Sequence, residues 1–293
     1  MDFGFVTFYS EDTVKMAKRG GFDCLEVCVD KGTLIDLDEN TDESLEKVLN
    51  IFKENNIKFG TLAGNVNHLE GNPEKRRENN EYFKKIIRSA KKFGTDIVIS
   101  NAWANPDISP EENLKEFKKV FTEYTEVAEN EGVRIALENC PHWIGYPTRV
   151  GNIAFSPEMW EAMFDAVPSK ALGLEFDPSH LLWEGIDYIR ALKEFGDKVF
   201  AFHAKDTEIL MDQKYKYGII GKQLGKSSEW DYGWWRYRIP GWGDVDWLSI
   251  FRVLNDLKYT GPMMIEHEDP VFGGERTEEG LRLGLRYLKQ FVL

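Results

Sequence analysis

Short runs of branched and aromatic residues alternate with longer charged, amphipathic stretches from one end of the chain to the other. Such runs read as buried parallel strands, and the stretches between them as crossover helices that return the chain to the same end of a sheet. Strands are predicted at approximately Phe3–Thr7, Cys24–Val29, Phe59–Ala63, Ile97–Asn101, Arg134–Glu138, Leu172–Asp177, Val199–His203 and Met263–Glu266. Helical stretches are clearest over Thr41–Asn55, Pro73–Phe93, Pro110–Glu131, Pro157–Ala166, Gly185–Phe195, Trp247–Leu257 and Thr277–Phe291. Ser109-Pro110-Glu111-Glu112 and Ser156-Pro157-Glu158 each place a capping serine before proline and then acid near the positive end of a helix. Eight strand–helix pairs in 293 residues predict an α/β fold, a (β/α)8 TIM barrel forming a single domain over residues 1–293. A doubly wound sheet would carry a glycine-rich phosphate turn, and neither GxGxxG nor GxxxxGK[ST] occurs. The one long irregular piece, Thr207–Asp246, falls after strand seven, on the face where barrels carry their active sites.

Four consecutive late strands end in a residue type that binds metals: Glu138, Asp177, His203 and Glu266. In each, the residues one and three positions earlier are large and apolar, as side chains facing the outer helices must be: Leu137 and Ile135, Phe176 and Leu174, Phe202 and Phe200, Ile265 and Met263. The two-residue period of a strand therefore turns the ligand itself inward at the barrel mouth. Glu26 shares this register, preceded by Leu25 and Cys24. Neighbouring strands lie about 4.8 Å apart, so three carboxylates and an imidazole can converge on one ion. Crowded carboxylates repel unless a cation neutralises them, and this donor set suits a fairly hard divalent metal: manganese (Mn2+) or magnesium first, with cobalt or zinc also compatible. The simpler alternative, that these acids cap loops or pair with Lys205 and Arg238, does not account for four of them in register on successive strands. Glu175 points inward one layer below and needs a partner; Arg134 on the adjacent strand is the candidate.

Charge narrows the partners. Lys and Arg total 37 against 50 Asp and Glu, and the net charge of −13 repels phosphate backbones, so no nucleic-acid partner is expected. No stretch approaches the ~18 uninterrupted apolar residues of a membrane span, and Met1-Asp2-Phe3-Gly4 lacks the basic, then apolar start of a signal peptide. A soluble, cytoplasmic protein with no membrane partner is expected. Cys24, Cys28 and Cys140 show no zinc-site pairing and read as reduced core thiols.

The segments Ala136-Leu137-Glu138-Asn139, Phe176-Asp177-Pro178-Ser179-His180, Phe202-His203-Ala204-Lys205-Asp206, Gly241-Trp242-Gly243-Asp244-Val245-Asp246-Trp247 and Ile265-Glu266-His267-Glu268 resemble the sugar phosphate isomerase/epimerase group of the xylose-isomerase-like barrel superfamily. The similarity runs over essentially the whole chain. It implies Glu138, Asp177, His203 and Glu266 as metal ligands and His180 as a contact to substrate oxygens. The group includes ketose 3-epimerases, hydroxypyruvate isomerase, inosose dehydratases and keto-glycoside lyases. Ketose 3-epimerases place an arginine six residues after the metal histidine, where this chain has Ile209. Lys205-Asp206-Thr207 and Glu266-His267-Glu268-Asp269-Pro270 lean instead towards the keto-glycoside-processing members.

A bound divalent ion can chelate a ketone and its neighbouring hydroxyl and stabilise the enediolate that forms as the α-proton leaves. Glu138 and Glu266 are then the catalytic pair; ligation lowers a carboxylate's basicity while desolvation raises it, so either can be the base. His180 and Lys205 are donors to the developing oxyanion, Lys205 being equally suited to balancing the acidic cluster. His68, after strand three, is a substrate contact from the far side of the mouth, with His142 and Trp143 as further candidates. The Glu229–Trp242 loop holds Trp230, Tyr232, Trp234, Trp235, Tyr237 and Trp242 with Arg236 and Arg238. Aromatic faces stack on sugars and arginines bond hydroxyls, which makes Arg238 and Trp242 candidate substrate contacts. The same tryptophans suit packing onto the barrel or onto a second copy in a dimer or tetramer. The expected function is a divalent-metal-dependent isomerase or epimerase acting on a small sugar, with a keto-glycoside lyase or dehydratase as the alternative. An abasic-site phosphodiesterase shares the superfamily but uses three zinc ions and more histidine than the five present here, and a sugar sensor would not need the ligand quartet.

Overall fold

The barrel is built from eight short strands, β1 (Phe3–Phe8), β2 (Cys24–Cys28), β3 (Lys58–Ala63), β4 (Ile97–Ser100), β5 (Arg134–Glu138), β6 (Leu172–Phe176), β7 (Val199–His203) and β8 (Met263–Ile265). They pair in parallel in chain order, and β8 pairs back with β1 to close a barrel. The computed structural model describes residues 1–144, 149–226 and 231–292. Glu229 and Trp230 of the tryptophan-rich loop lie outside the described residues.

Strand alternation divides the interior in two. Leu25, Val27, Leu62, Val98, Ile135, Leu137, Leu174, Phe176, Phe202 and Ile265 face the surrounding helices in the main core. Ala63, Ile99, Ala136 and Ala201 belong to a second, smaller apolar cluster with Cys28. These smaller residues leave space in the barrel for the polar side chains near its mouth. Among the helices, Ser109 caps Pro110–Glu131 with a full capping box, whereas Ser156 starts Pro157–Ala166 without a side-chain cap bond. No described helix is long and apolar enough to cross a membrane.

Two irregularities interrupt the barrel ladders. Leu25 pairs with Phe59 but Glu26 pairs with Thr61, so Gly60 is an extra residue in β3. A Cβ at Gly60 would stand 2.2 Å from Met264 Cε and 3.0 Å from Cys24 Sγ, so a side chain there would have to move the buried Met264 methyl. Likewise Leu174 pairs with Val199 but Glu175 with Ala201, leaving Phe200 extra in β7.

The segment after β7, expected to be irregular, is built. Asp206–Ile209 and Trp235–Arg238 form an antiparallel ribbon, and Met211–Tyr217 is a helix between them. Asp206 holds the ribbon to the next turn: its Oδ1 accepts from the amides of Thr207 and Val245, and its Oδ2 from Gly241 N and Trp247 Nε1, all within 3.0 Å. A Cβ at position 243 would stand 2.3 Å from Asp206 Oδ1, which explains the glycine in the Gly241–Trp247 motif.

Candidate active site and metal centre

The proposed ligands meet at the mouth as the strand alternation requires. Glu138 and His203 end β5 and β7, while Asp177 and Glu266 follow β6 and β8 by one residue. Asp177 is also the N-cap of the helix Pro178–Glu184: its Oδ1 accepts from Ser179 N at 2.8 Å, which turns Oδ2 into the mouth. Asn139 locks β5 to β6, giving a hydrogen bond to Asp177 O and taking one from Asp177 N, each 2.8 Å. One ligand atom from each of Glu138, Asp177, His203 and Glu266 lies within 4.8 Å of the others. His203 Nδ1 is 3.2 Å from Glu138 Oε1 and 3.4 Å from Glu266 Oε2.

These residues fit a divalent cation. Asp177 Oδ2 is fully buried and takes no hydrogen bond of good geometry from the described residues, with Lys205 Nζ at 3.3 Å and His180 Nε2 at 3.4 Å as its nearest positive neighbours. One imidazole and three carboxylates are the donor set of a fairly hard or borderline ion. The charges are strongly interdependent. Burial pushes the Glu138 carboxyl up, but His180, His203 and Lys205 outweigh it and hold it well below the usual carboxylate range. Burial also pushes Glu266 up, yet the Lys205 charge dominates and brings it down to about 2. Burial works against the charged form of His203, and Glu175, Glu266 and Glu26 reverse this and hold the ring well above its ordinary range. A cation held by these residues would displace a proton from the ring.

A cavity of about 810 Å³ opens above this cluster, with Glu138, His180, Lys205, Glu266, Trp235 and Tyr237 in its wall. His180 lies at its floor, Nδ1 2.9 Å from the Tyr237 hydroxyl and Nε2 3.5 Å from Glu138 Oε1. Lys205 is buried and ion-paired with Asp177, Glu266 and, at 3.1 Å, Glu268, with its ammonium 4.4 Å from the Tyr237 ring centre. Charge balance is thus one of its roles. Trp235 stacks on Trp183 at 4.8 Å, and Trp143 and Tyr232 complete an aromatic wall that packs the loop onto the barrel. Trp234 points away and is buried.

Four expectations are corrected. His68 does not reach the mouth: it is fully buried, its Nδ1 3.0 Å from Tyr124 OH and its Nε2 2.9 Å from Ser100 Oγ, between Phe83 and Phe121. Arg238 is buried in ion pairs with Asp269 at 2.9 Å and Glu208 at 2.5 Å, so its guanidinium anchors the ribbon, and Arg236 is the arginine on the cavity wall. Trp242 packs edge-on against Phe272 beneath the Arg238 guanidinium, half exposed and off that wall. Arg134 pairs with Asp96 at 3.1 Å, while Glu175 lies against His203 Nε2 at the same distance.

Cys140, read as a core thiol, lines the cavity beside His142 and His180. Burial raises its thiol, but the His180 charge and contacts from both histidines prevail and bring it down to about 7. His142 stacks on Trp103 at 4.9 Å, and both residues have positive φ, 47° and 57°. Backbone strain of this kind in two touching non-glycine residues at a cavity wall marks a place where packing dictates conformation. Only the proline before His142 hinted at it.

The chain is similar to known proteins named for reactions of inosose. An inosose dehydratase of Clostridium perfringens is 28% identical over 43% of this chain and 40% of its own length. An inosose isomerase of Bacillus velezensis is 26% identical over 92% of this chain and 87% of its own. The chain spans less than half the length of the first curated relatives it matches, 47% and 40%. A crystal structure of the IOLI protein with a bound zinc atom superposes with a TM-score of 0.74 at 21% identity, over 100% of this chain and 98% of that one. The family described as xylose isomerase-like TIM barrel matches residues 14–291, from within the first helix to just past the last, and the chain belongs to that family.

Proposed function

We propose that the protein is a divalent-metal-dependent sugar isomerase or epimerase that moves a proton next to a carbonyl. The observation that carries this reading is the approach of Glu138 and Glu266 to His203 Nδ1 from β5 and β8, strands separated in the barrel by β6 and β7. Glu138, Asp177, His203 and Glu266 would hold the ion, which when bound draws electron density from a substrate carbonyl. One glutamate takes the proton from the neighbouring carbon and the other returns one from the opposite side. His180, its Nδ1 fixed by the Tyr237 hydroxyl, presents Nε2 to the oxygen on which charge builds, and Lys205 neutralises the acids around it. The aromatic wall of Trp235 and Tyr237 excludes water and faces the apolar side of a sugar ring. Manganese is the ion we assign, and the relative with bound zinc supports a divalent cation more generally.

A lyase or dehydratase on the same site is the second reading. It is favoured by the Tyr237–His180 pair, a proton donor to a leaving group poised beside the glutamates, and by the relative named as a dehydratase. Turnover of ketoses and 3-keto-glycosides by the Mn2+-loaded protein tests both. Glu138→Gln and Glu266→Gln are each expected to lower the rate at least about a hundredfold while circular dichroism is unchanged. Near-normal rates in either variant overturn the two-glutamate mechanism.

A further inference from the structure

His203 can serve as a ligand through Nδ1 only if its other nitrogen carries the proton, and the structure holds a device on the far side of the barrel that fixes this. His203 Nε2 is 3.3 Å from Glu26 Oε1 in hydrogen-bonding geometry, and 3.1 Å from Glu175 Oε1. Glu26 is itself held: its second oxygen, Oε2, accepts the hydroxyl of Thr61 at 2.7 Å. All of these groups are buried, Glu26 at 1% exposure and Thr61 and Glu175 at 0%.

The backbone is shaped for this contact. Had the Leu25–Phe59 register continued without the bulge, Glu26 would pair with Gly60, and the Thr61 hydroxyl would be offset by one residue and turned to the other face. A side chain in the bulge would have to displace the end of Met264 and crowd Cys24, both buried. A second bulge, at Phe200, brings Glu175 opposite Ala201 beneath the same ring. Bulges disturb ladder pairing, so two of them flanking one histidine from both sides of the barrel point to a positional requirement rather than to packing alone.

We infer that Glu26, oriented by Thr61, is the positioning residue that fixes the His203 tautomer, leaving the Nδ1 lone pair directed at Glu138, Glu266 and Asp177. Glu26 lies outside the Glu138, Asp177, His203 and Glu266 quartet and would act through His203, as carboxylates behind metal-bound histidines do. The inference rests on the metal-centre reading above.

The test is Mn2+ titration of the chelator-treated full chain by calorimetry, together with the melting temperature of each metal-free protein. Glu26→Leu, which removes the acceptor, is expected to weaken Mn2+ binding ten- to a hundredfold. Its metal-free melting temperature should fall, because His203 Nε2 and the Thr61 hydroxyl lose a buried acceptor, so the titrations are run well below the melting transition of every variant. Glu26→Gln keeps a carbonyl acceptor for Nε2–H and should recover affinity to within about threefold. Thr61→Val, which leaves Glu26 in place but frees its second oxygen, should weaken binding severalfold. Wild-type affinity in both Glu26→Leu and Thr61→Val overturns the inference, as does a Glu26→Gln loss as large as that of Glu26→Leu. If the wild-type chain itself binds no Mn2+, the metal-centre reading fails and the inference with it.

Discussion

His68 and His203 are both buried imidazoles in the same barrel, and their surroundings give them opposite charge states. His68 faces only the hydroxyls of Tyr124 and Ser100 among aromatic rings, and burial pushes its pKa down to about 3. The unfolded chain protonates this ring near its ordinary 6.5, so the neutral, buried form favours folding fully above that pH and loses its advantage as pH falls towards 3. Below pH 6 the wild type should therefore lose stability faster than His68→Gln, by a difference in slope approaching about 1.4 kcal/mol per pH unit in urea titrations. Parallel slopes would show that the ring is already charged in the folded state. The sequence could not place His68, Arg238 or Trp242 because they sit in loops or in the ribbon after β7, where the strand alternation that oriented Glu138 and His203 gives no direction. Cys140 was misread for the same reason: it lies two residues beyond the end of β5.

Among the elements, the barrel strands were legible because each is a short, largely apolar run, and four of them end in or lead directly into a ligand-type residue. The ribbon over Asp206–Ile209 and Trp235–Arg238 was not, since its sequence mixes charge and aromatics without a period. One carboxylate, Asp206, takes four of the hydrogen bonds that hold it to the next turn. Asp206→Ala leaves three backbone amides and the Trp247 indole N–H without their acceptor, so it should cost at least about 3 kcal/mol in urea unfolding and speed amide exchange at Gly241 and Val245. A loss below about 1 kcal/mol would mean that other contacts hold the ribbon. Because Tyr237, Arg236 and Trp235 reach the cavity from this ribbon, the same variant should also raise KM.

Across the whole molecule, the charge of −13 is concentrated in part where it has work to do: three acids of the mouth cluster would share one cation. Saturating that site stabilises the folded chain by mass action, about 2.7 kcal/mol at a hundred times the dissociation constant. For a domain of this length that corresponds to a rise in melting temperature of about 5 °C. Asp177→Ala should abolish the rise, and a variant that keeps it would place the cation elsewhere. The reaction itself is tested most directly by incubating the Mn2+-loaded protein with ketose and 3-keto-glycoside substrates in D2O. The account predicts one deuterium at the carbon next to the carbonyl, lost on chelation and in Glu138→Gln or Glu266→Gln. Turnover that continues at full rate in the metal-stripped protein, or product formed without deuterium at that carbon by a protein that exchanges none there, would contradict it.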